Sequence, residues 1–186
     1  NTPGSYAARN QGISIAKGEI YAFTDADCIP NSSWLETGVK QLLSIPNCGL
    51  VAGKINMFFK NKDNPTTVEL YDFITFLDQK KYVEKMNFGT TANLFTFKKV
   101  VQEVGLFNAK LKSAGDREWG NRVFSSGYCL SYADNCCVAH PARYTFNSLY
   151  QKIVRIKKGE YDFRKSKNLD DRQKASILSD LKPRLR

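Results

Sequence analysis

The sequence lacks features on which several classes of protein depend. It has one histidine, His140, so sites built from two or more histidines are excluded. No apolar run approaches the ~18 residues of a membrane-spanning helix, and we expect neither a membrane span nor a signal peptide at Asn1. The five cysteines form no C-x-x-C pair, which argues against a zinc knuckle.

The cysteines also point to a cellular compartment. Their number is odd, and Cys136 and Cys137 are adjacent in the chain. This pattern favours reduced, buried thiols over a disulfide framework. It therefore predicts a cytosolic protein.

Charge is distributed unevenly along the chain. The 186 residues carry 28 Lys and Arg and 18 Asp and Glu, a net charge of +10. Residues 152–186 contain 12 basic and 5 acidic residues, which leaves the preceding part at only +3. We therefore expect a nearly neutral globular domain over residues 1–150 and a basic, largely helical extension over residues 151–186.

The basic extension has two interpretations. It forms either a solvated helix or a surface that faces anionic lipid headgroups. Nucleic acid is not an expected partner, because Tyr161 and Phe163 are too few to build a stacking platform.

Apolar patterning predicts alternating strands and helices. The predicted strands are Glu19–Thr24, Cys48–Ile55, Leu94–Phe97 and Tyr128–Tyr132. A capping box at Ser33 and Glu36 predicts the start of the first helix, and Gly159 predicts the end of the last. The other predicted bounds are Thr66–Glu84, Lys98–Val104, Gly115–Ser126 and, for the last helix, Asn147–Lys158. The helix Thr66–Glu84 would carry Leu70, Phe73, Ile74 and Leu77 on one face. This alternation predicts an α/β fold with a mostly parallel sheet flanked by helices.

Two carboxylates follow the first predicted strand. Asp25 and Asp27 are one residue apart, directly after Thr24. Ligands of open α/β sheets bind beyond the carboxyl ends of the strands, and hard oxygen ligands suit Mg²⁺ or Mn²⁺. The pair is either a metal site that also holds a nucleotide diphosphate or a polar loop at a strand end.

Asp116 lies at the start of a predicted helix. The helix dipole favours its ionised form there, and an ionised carboxylate can take a proton from a hydroxyl group. The alternative is that Asp116 only caps the helix. His140, which precedes Pro141, is either a structural residue or a metal ligand near Asp27.

Taken together and in this order, these segments resemble the family-2 glycosyltransferases of the GT-A fold. The segments that carry the resemblance are Ala8-Arg9-Asn10-Gln11-Gly12, Ala16-Lys17-Gly18-Glu19, Phe23–Pro30, Trp34-Leu35, Gly89–Asn93, Val104–Asn108, Gly115–Glu118 with Gly120 and Arg122, and His140-Pro141. They extend over about residues 5–160.

The resemblance implies a role for each matching residue. Asp27 and His140 would bind Mn²⁺ or Mg²⁺, and Asp116 would be the general base of an inverting transfer. The residues implied at the nucleotide-sugar donor are Arg9, Asp25 and Asn93. The implied partners are a nucleoside-diphosphate sugar and a hydroxyl acceptor on a glycan or a lipid-linked molecule. The implied setting is polysaccharide biosynthesis in the cytoplasm, with peripheral attachment to the inner face of the membrane through residues 152–186.

The sequence departs from the family pattern in two places. The chain opens at Asn1-Thr2-Pro3, almost at the Arg9 segment, so we expect the first βαβ part of the nucleotide-binding segment to be missing. That departure leaves open a non-catalytic GT-A remnant that docks on a membrane or a partner. Residues 151–156 do not match the Q-x-x-R-W motif of processive synthases, which favours single addition.

Overall fold

The computed structural model describes residues 4–76 and 78–166. Its strands are β1 (Ile20–Thr24), β2 (Ile29–Pro30), β3 (Cys48–Phe58), β4 (Asn93–Phe97) and β5 (Cys129–Pro141). Its helices are α1 (Ser5–Ile15), α2 (Trp34–Ser44), α3 (Thr67–Ile74), α4 (Gln79–Met86), α5 (Lys98–Val104), α6 (Gly115–Ser125) and α7 (Phe146–Ser166).

The strands form one mixed sheet in the order β1-β4-β3-β5-β2. Of the described strand pairs, β3 and β5 run parallel, and the pairs β1–β4, β3–β4 and β2–β5 are antiparallel. The α/β class is confirmed, but the sheet is mixed rather than mostly parallel. Apolar patterning identifies a buried strand without revealing the direction of its neighbour, which depends on the route of the connecting chain.

Apolar side chains cover both faces of the sheet. On one face Trp119 of α6 and Val100 of α5 pack with Tyr6 of α1 against the central strands. On the other face Trp34 and Leu42 of α2 pack against Phe95. Burying a side chain of this size contributes roughly 1.5–3 kcal/mol, so the two clusters fix the helices to the sheet.

Three predictions about individual helices are wrong. Ser33 precedes α2, but its side chain accepts no hydrogen bond from the helix. The predicted helix Thr66–Glu84 is two helices, because Asp78 accepts a hydrogen bond from Lys81 N and starts α4 anew. The capping box of this region lies instead at Thr66 and Glu69.

The third error concerns the last helix. α7 continues through Gly159 to Ser166. A Cβ atom at Gly159 would lie 2.4 Å from Ser113 Cβ, so this glycine permits close packing rather than ending the helix. α7 also crosses residue 150, so the start of the basic extension is continuous with the domain; residues 167–186 lie outside the described residues.

A bulge interrupts the parallel β3–β5 pair. Gly53 is opposite Ala133, but the next residue, Lys54, is opposite Cys137. Such a bulge bends a strand and redirects the side chains that follow it. Here it redirects the segment of β5 that ends in His140 and Pro141.

All five cysteines are unpaired. Cys48 and Cys136 are buried as predicted, whereas Cys129 is exposed. No helix among the described residues has the length and apolar character needed to cross a bilayer.

Glycine substitutions in two helices of equal length test the packing on the sheet. A Cβ atom at Gly38 in α2 would lie 2.3 Å from the ring of Phe95, so Gly38→Ala should destabilise the protein by ~1–3 kcal/mol. A Cβ atom at Gly12 in α1 meets no atom within 4 Å, so Gly12→Ala should be neutral or stabilising by ~0.5–1 kcal/mol. Urea unfolding measures both, and equal effects would contradict the packing described.

Candidate active site

Strand register brings the first cluster of predicted residues together. Thr24 of β1 is opposite Asn93 of β4, and Thr24 Oγ1 donates a hydrogen bond to Ala92 O at 3.1 Å. Asp25 therefore leaves β1 beside the residues that precede β4. One of those residues, Thr91, reaches Asp116.

Arg9 provides the positive charge of this cluster. Its Nη2 atom lies 2.7 Å from Asp25 Oδ1, and the two side chains are 17% and 35% exposed. Arg9 projects from α1, so the pair links that helix to the end of β1. The fold therefore brings together two of the residues that the resemblance assigns to the donor.

Asp116 is the second residue of α6, and its carboxylate points away from the helix. Thr91 Oγ1 donates a hydrogen bond of 2.9 Å to Asp116 Oδ1. The residue at the N-cap position is Ala114, so the interpretation of Asp116 as a simple helix cap is wrong.

The carboxyl group of Asp116 is closely surrounded by protein, although the residue keeps some exposure. Desolvation raises the pKa of this carboxyl, and the nearby Arg9 guanidinium opposes the shift. We expected the helix dipole to favour the ionised form; desolvation acts in the opposite direction, toward the protonated form.

Tyr6 organises the N-terminus of α6. Its hydroxyl oxygen accepts hydrogen bonds from the backbone N–H groups of Gly115 and Asp116, at 3.0 and 3.4 Å. A Cβ atom at Gly115 would lie 2.6 Å from the Tyr6 ring, so only glycine permits this approach. Burial raises the pKa of the Tyr6 hydroxyl, which stays protonated.

A second cluster forms where β2 pairs with β5. Ile29 is opposite Ala139, which places the preceding Cys28 and Asp27 beside His140. His140 Nε2 lies 3.9 Å from Asp27 Oδ1. Three possible ligand atoms lie within 4.8 Å of one another here, one each from Asp27, Cys28 and His140.

The surroundings of His140 favour one form of its ring. Nδ1 lies 2.8 Å from Pro141 O, and a carbonyl oxygen can only accept a hydrogen bond. The contact therefore favours hydrogen on Nδ1, which leaves the Nε2 lone pair of the neutral ring facing Asp27. The ring of Phe76 packs on His140 with centroids 5.2 Å apart.

This donor set fits a divalent cation. A carboxylate oxygen and an imidazole nitrogen suit Mn²⁺, and carboxylate oxygens also suit Mg²⁺. Burial raises the pKa of the Cys28 thiol, which makes Cys28 a weaker ligand than its two neighbours. Asp27 and His140 are therefore the strongest ligands that the cluster offers.

Asn93, which the resemblance assigns to the donor, has its side chain inside the core and does not lie open in either cluster. It is fully buried, and its Oδ1 accepts a hydrogen bond from Trp34 Nε1 at 2.8 Å. Its Nδ2 donates to Lys54 O at 2.9 Å and to Cys136 O at 2.8 Å. These two carbonyl groups flank the β3–β5 bulge, so Asn93 holds the bulge that directs His140 toward Asp27.

Three residues in these clusters were not singled out by the sequence: Tyr6, Cys28 and Thr91. Cys28 adjoins Asp27 and Thr91 lies in a matching segment, so proximity to a motif could have indicated them. Tyr6 contacts Gly115 from 109 positions away, and no local pattern reports such a contact.

Comparisons with known proteins identify a matching family and similar sequences. The family described as "Glycosyl transferase family 2" matches residues 1–105. Glycosyltransferase AglE of Haloferax volcanii is 41% identical over 157 residues, covering 84% of this chain and 50% of that protein. Pre-mycofactocin glycosyltransferase of Mycobacterium tuberculosis is 24% identical over 147 residues, covering 77% and 31%. The chain thus spans at most about half of the length of these curated relatives.

Two solved structures share the fold. Mannosyltransferase PcManGT from Pyrobaculum calidifontis, in complex with GDP-Man and Mn²⁺, has a TM-score of 0.57 and 18% identity, over 82% of this chain and 40% of that one. GalNAc-T7 with UDP, GalNAc and Mn²⁺ has a TM-score of 0.55 and 16% identity, over 75% of this chain and 31% of that one. The expected GT-A fold is therefore confirmed.

The raised pKa of Asp116 predicts a stability effect with a defined sign. Ionised Asp116 is less favourable in the folded than in the unfolded protein, so it lowers stability as pH rises through its folded-state pKa. Asp116→Asn should therefore raise the Tm at about pH 8, and the gain should shrink toward about pH 5 as the wild-type carboxyl becomes protonated. Thermal unfolding measures the difference. The exposed carboxylate of Asp63 offers a control in Asp63→Asn. A Tm gain that is absent, or independent of pH, would contradict the assignment.

Proposed function

The chain belongs to glycosyl transferase family 2, and from this premise we propose that it carries the centre for metal-assisted transfer of a sugar from a nucleoside-diphosphate sugar to a hydroxyl acceptor. The proposal is an inverting, one-step displacement with Asp116 as general base. The observation that carries it is the position of Asp116, a desolvated carboxylate held beside Arg9 and Asp25. The family resemblance seen in the sequence is confirmed; the reaction is our proposal.

Asp27 and His140 would hold the divalent cation, Mn²⁺ or Mg²⁺. When bound, such a cation supplies positive charge that stabilises the departing diphosphate. The Nδ1 contact of His140 with Pro141 O fixes the ring so that Nε2 is available as a ligand. The Mn²⁺ in the two structural neighbours supports the choice of metal, and the donor set of this chain fits it.

Asp116 would take the proton of the acceptor hydroxyl. As that oxygen forms its bond to C1 of the sugar, the bond from C1 to the diphosphate breaks, and its electron pair leaves with the diphosphate. Attack opposite the leaving group inverts the configuration at C1. Thr91 holds Oδ1 at 2.9 Å and so fixes the carboxylate for proton transfer.

Arg9 and Asp25 would contribute to donor binding. Their 2.7 Å ion pair sits between α1 and the loop that carries Asp27, so it orders that loop before the donor arrives. Arg9 also acts to lower the pKa of Asp116 and so partly offsets the effect of desolvation. Asp116 therefore stays ionised, and able to accept a proton, to a lower pH than it would without Arg9.

We also propose a setting for the reaction. The five unpaired cysteines support a reducing, cytoplasmic location. Residues 152–186, at net +7, would attract an anionic membrane surface on the cytoplasmic side. The acceptor would then be a glycan or a lipid-linked molecule in polysaccharide biosynthesis.

Asp27→Asn tests the metal site through binding alone. We expect calorimetry of wild type with GDP and with UDP to show Mn²⁺-dependent binding of at least one of the two, abolished by a chelator. Asp27→Asn should weaken that binding about tenfold or more, because the loss of a charged ligand weakens binding of the cation. Asp63→Asn should bind like wild type. Nucleotide binding that is unchanged both by the chelator and by Asp27→Asn would contradict the proposed metal site.

Asp116→Asn tests the base. The variant should keep Mn²⁺-dependent nucleotide binding and lose transfer by roughly 10²–10⁴-fold, because the amide cannot accept the proton. In wild type, kcat/KM should fall on the acidic side as Asp116 becomes protonated, at a pH above the ordinary pKa of an aspartate. Release of nucleoside diphosphate from the donor reports the rate. Transfer at near wild-type rate would show that Asp116 has only a structural role at the start of α6.

A further inference from the structure

Helix α3 is inverted relative to an ordinary surface helix. Its buried residues are the acidic Glu69 and Asp72, which are 1% and 0% exposed. Its exposed side chains are Leu70, Tyr71, Phe73 and Ile74, at 42%, 45%, 53% and 63%. We expected Leu70, Phe73 and Ile74 on one face of a helix; they share the exposed side of α3, and Leu77 lies outside the described residues. A surface helix normally turns its apolar face inward.

Helix α7 has a similar outward apolar face. Its exposed apolar side chains are Phe146, Tyr150, Ile153, Val154 and Tyr161, spaced at helical intervals along one side. Its buried residues include Leu149 and Phe163. We name the exposed apolar side chains of these two helices, together, the α3–α7 patch.

Buried polar contacts hold both helices in place. Lys152 Nζ of α7 lies 2.6 Å from Asp72 Oδ1 of α3, with side chains 14% and 1% exposed. The backbone N–H of Arg143 also donates to Asp72, at 2.9 Å. Removing either partner of a buried ion pair leaves an uncompensated charge, so this pair locks the orientation that turns the apolar sides outward.

Charge and residue type around the patch indicate what covers it. α7 carries six basic residues and two acidic ones over Phe146–Ser166. Lys60 Nζ lies 4.6 Å from the ring centre of Tyr144, beside the start of α7. Tyrosine and phenylalanine among lysines and arginines are typical of surfaces that lie in a membrane interface with anionic lipid.

We propose that the α3–α7 patch docks on the interface of an anionic membrane. The apolar side chains would enter the boundary between headgroups and acyl chains, and the basic residues of α7 would lie over lipid phosphates. This differs from attraction of the basic extension alone, because burial of apolar side chains resists salt while charge attraction does not. The inference does not depend on sugar transfer.

A tryptophan placed in the patch tests insertion directly. The two natural tryptophans, Trp34 and Trp119, are 9% and 0% exposed, so an added exposed one reports its own surroundings. Phe146→Trp, at a position 74% exposed, should show a blue shift of emission when mixed phosphatidylcholine–phosphatidylglycerol vesicles are added. Leu43→Trp on α2, at a position 63% exposed, is the matched control and should not shift.

Vesicle flotation supplies the second measurement. Wild type should keep a bound fraction at 1 M NaCl, where the Debye length is only ~3 Å. Phe73→Ser with Phe146→Ser should reduce partitioning roughly tenfold or more, whereas Leu35→Ser with Leu43→Ser should not.

Three results would overturn the proposal. One is complete release by salt with no effect of the patch variant. Another is a self-associated wild type that the patch variant makes monomeric and that does not bind vesicles. The third is Phe146→Trp emission already blue-shifted before vesicles are added and unchanged by them, because another part of the chain would then cover the patch.

Discussion

Two carboxylates, Asp25 and Asp116, share the surroundings of the Arg9 guanidinium beyond the end of β1, and their repulsion is the constraint on which the site depends. They come from two segments of the chain, and the charge of Asp25 adds to desolvation in raising the pKa of Asp116, whereas Asp27 lies in the second cluster beside His140. Arg9 offsets one of them directly, at 2.7 Å. Desolvated Asp116 and exposed Asp27 carry no such ion pair with Arg9, which is why we propose that proton acceptance and cation binding fall to these two.

The register of the strand pairs, rather than the length of the loops, sets the positions of the site side chains. Pairing of β1 with β4 sets Asp25 near Thr91, and pairing of β2 with β5 sets Asp27 near His140. The second pairing relies on the bulge that Asn93 holds through two backbone carbonyls. Asn93 is thus a positioning residue at the centre of the sheet, and its effect on the site is exerted through His140.

Local signals in the sequence predicted the elements that carry the site. The run before Asp25 gave β1, and Gly105 and Gly127 marked the ends of α5 and α6, since both glycines have positive φ. Features that depend on long-range packing could not be predicted from these local signals. The buried carboxylate Asp72 of α3 depends on Lys152 and on the backbone N–H of Arg143, both far along the chain, so the apolar spacing indicated a helix without showing which side faces the core. The resemblance named Arg9, Asp25 and Asp116, which the fold brings close together, yet it could not show that the Asn93 amide makes its hydrogen bonds inside the core.

The central claim is that Asp27 and His140 form a cation site beside a cluster that holds Asp116. The most direct test is anomalous diffraction at the manganese edge from crystals grown with Mn²⁺ and a nucleoside diphosphate. The account predicts one strong peak within coordination distance of Asp27 and His140 Nε2, with the diphosphate between it and the Arg9–Asp25 pair. A peak elsewhere, or a diphosphate bound away from both clusters, would contradict it.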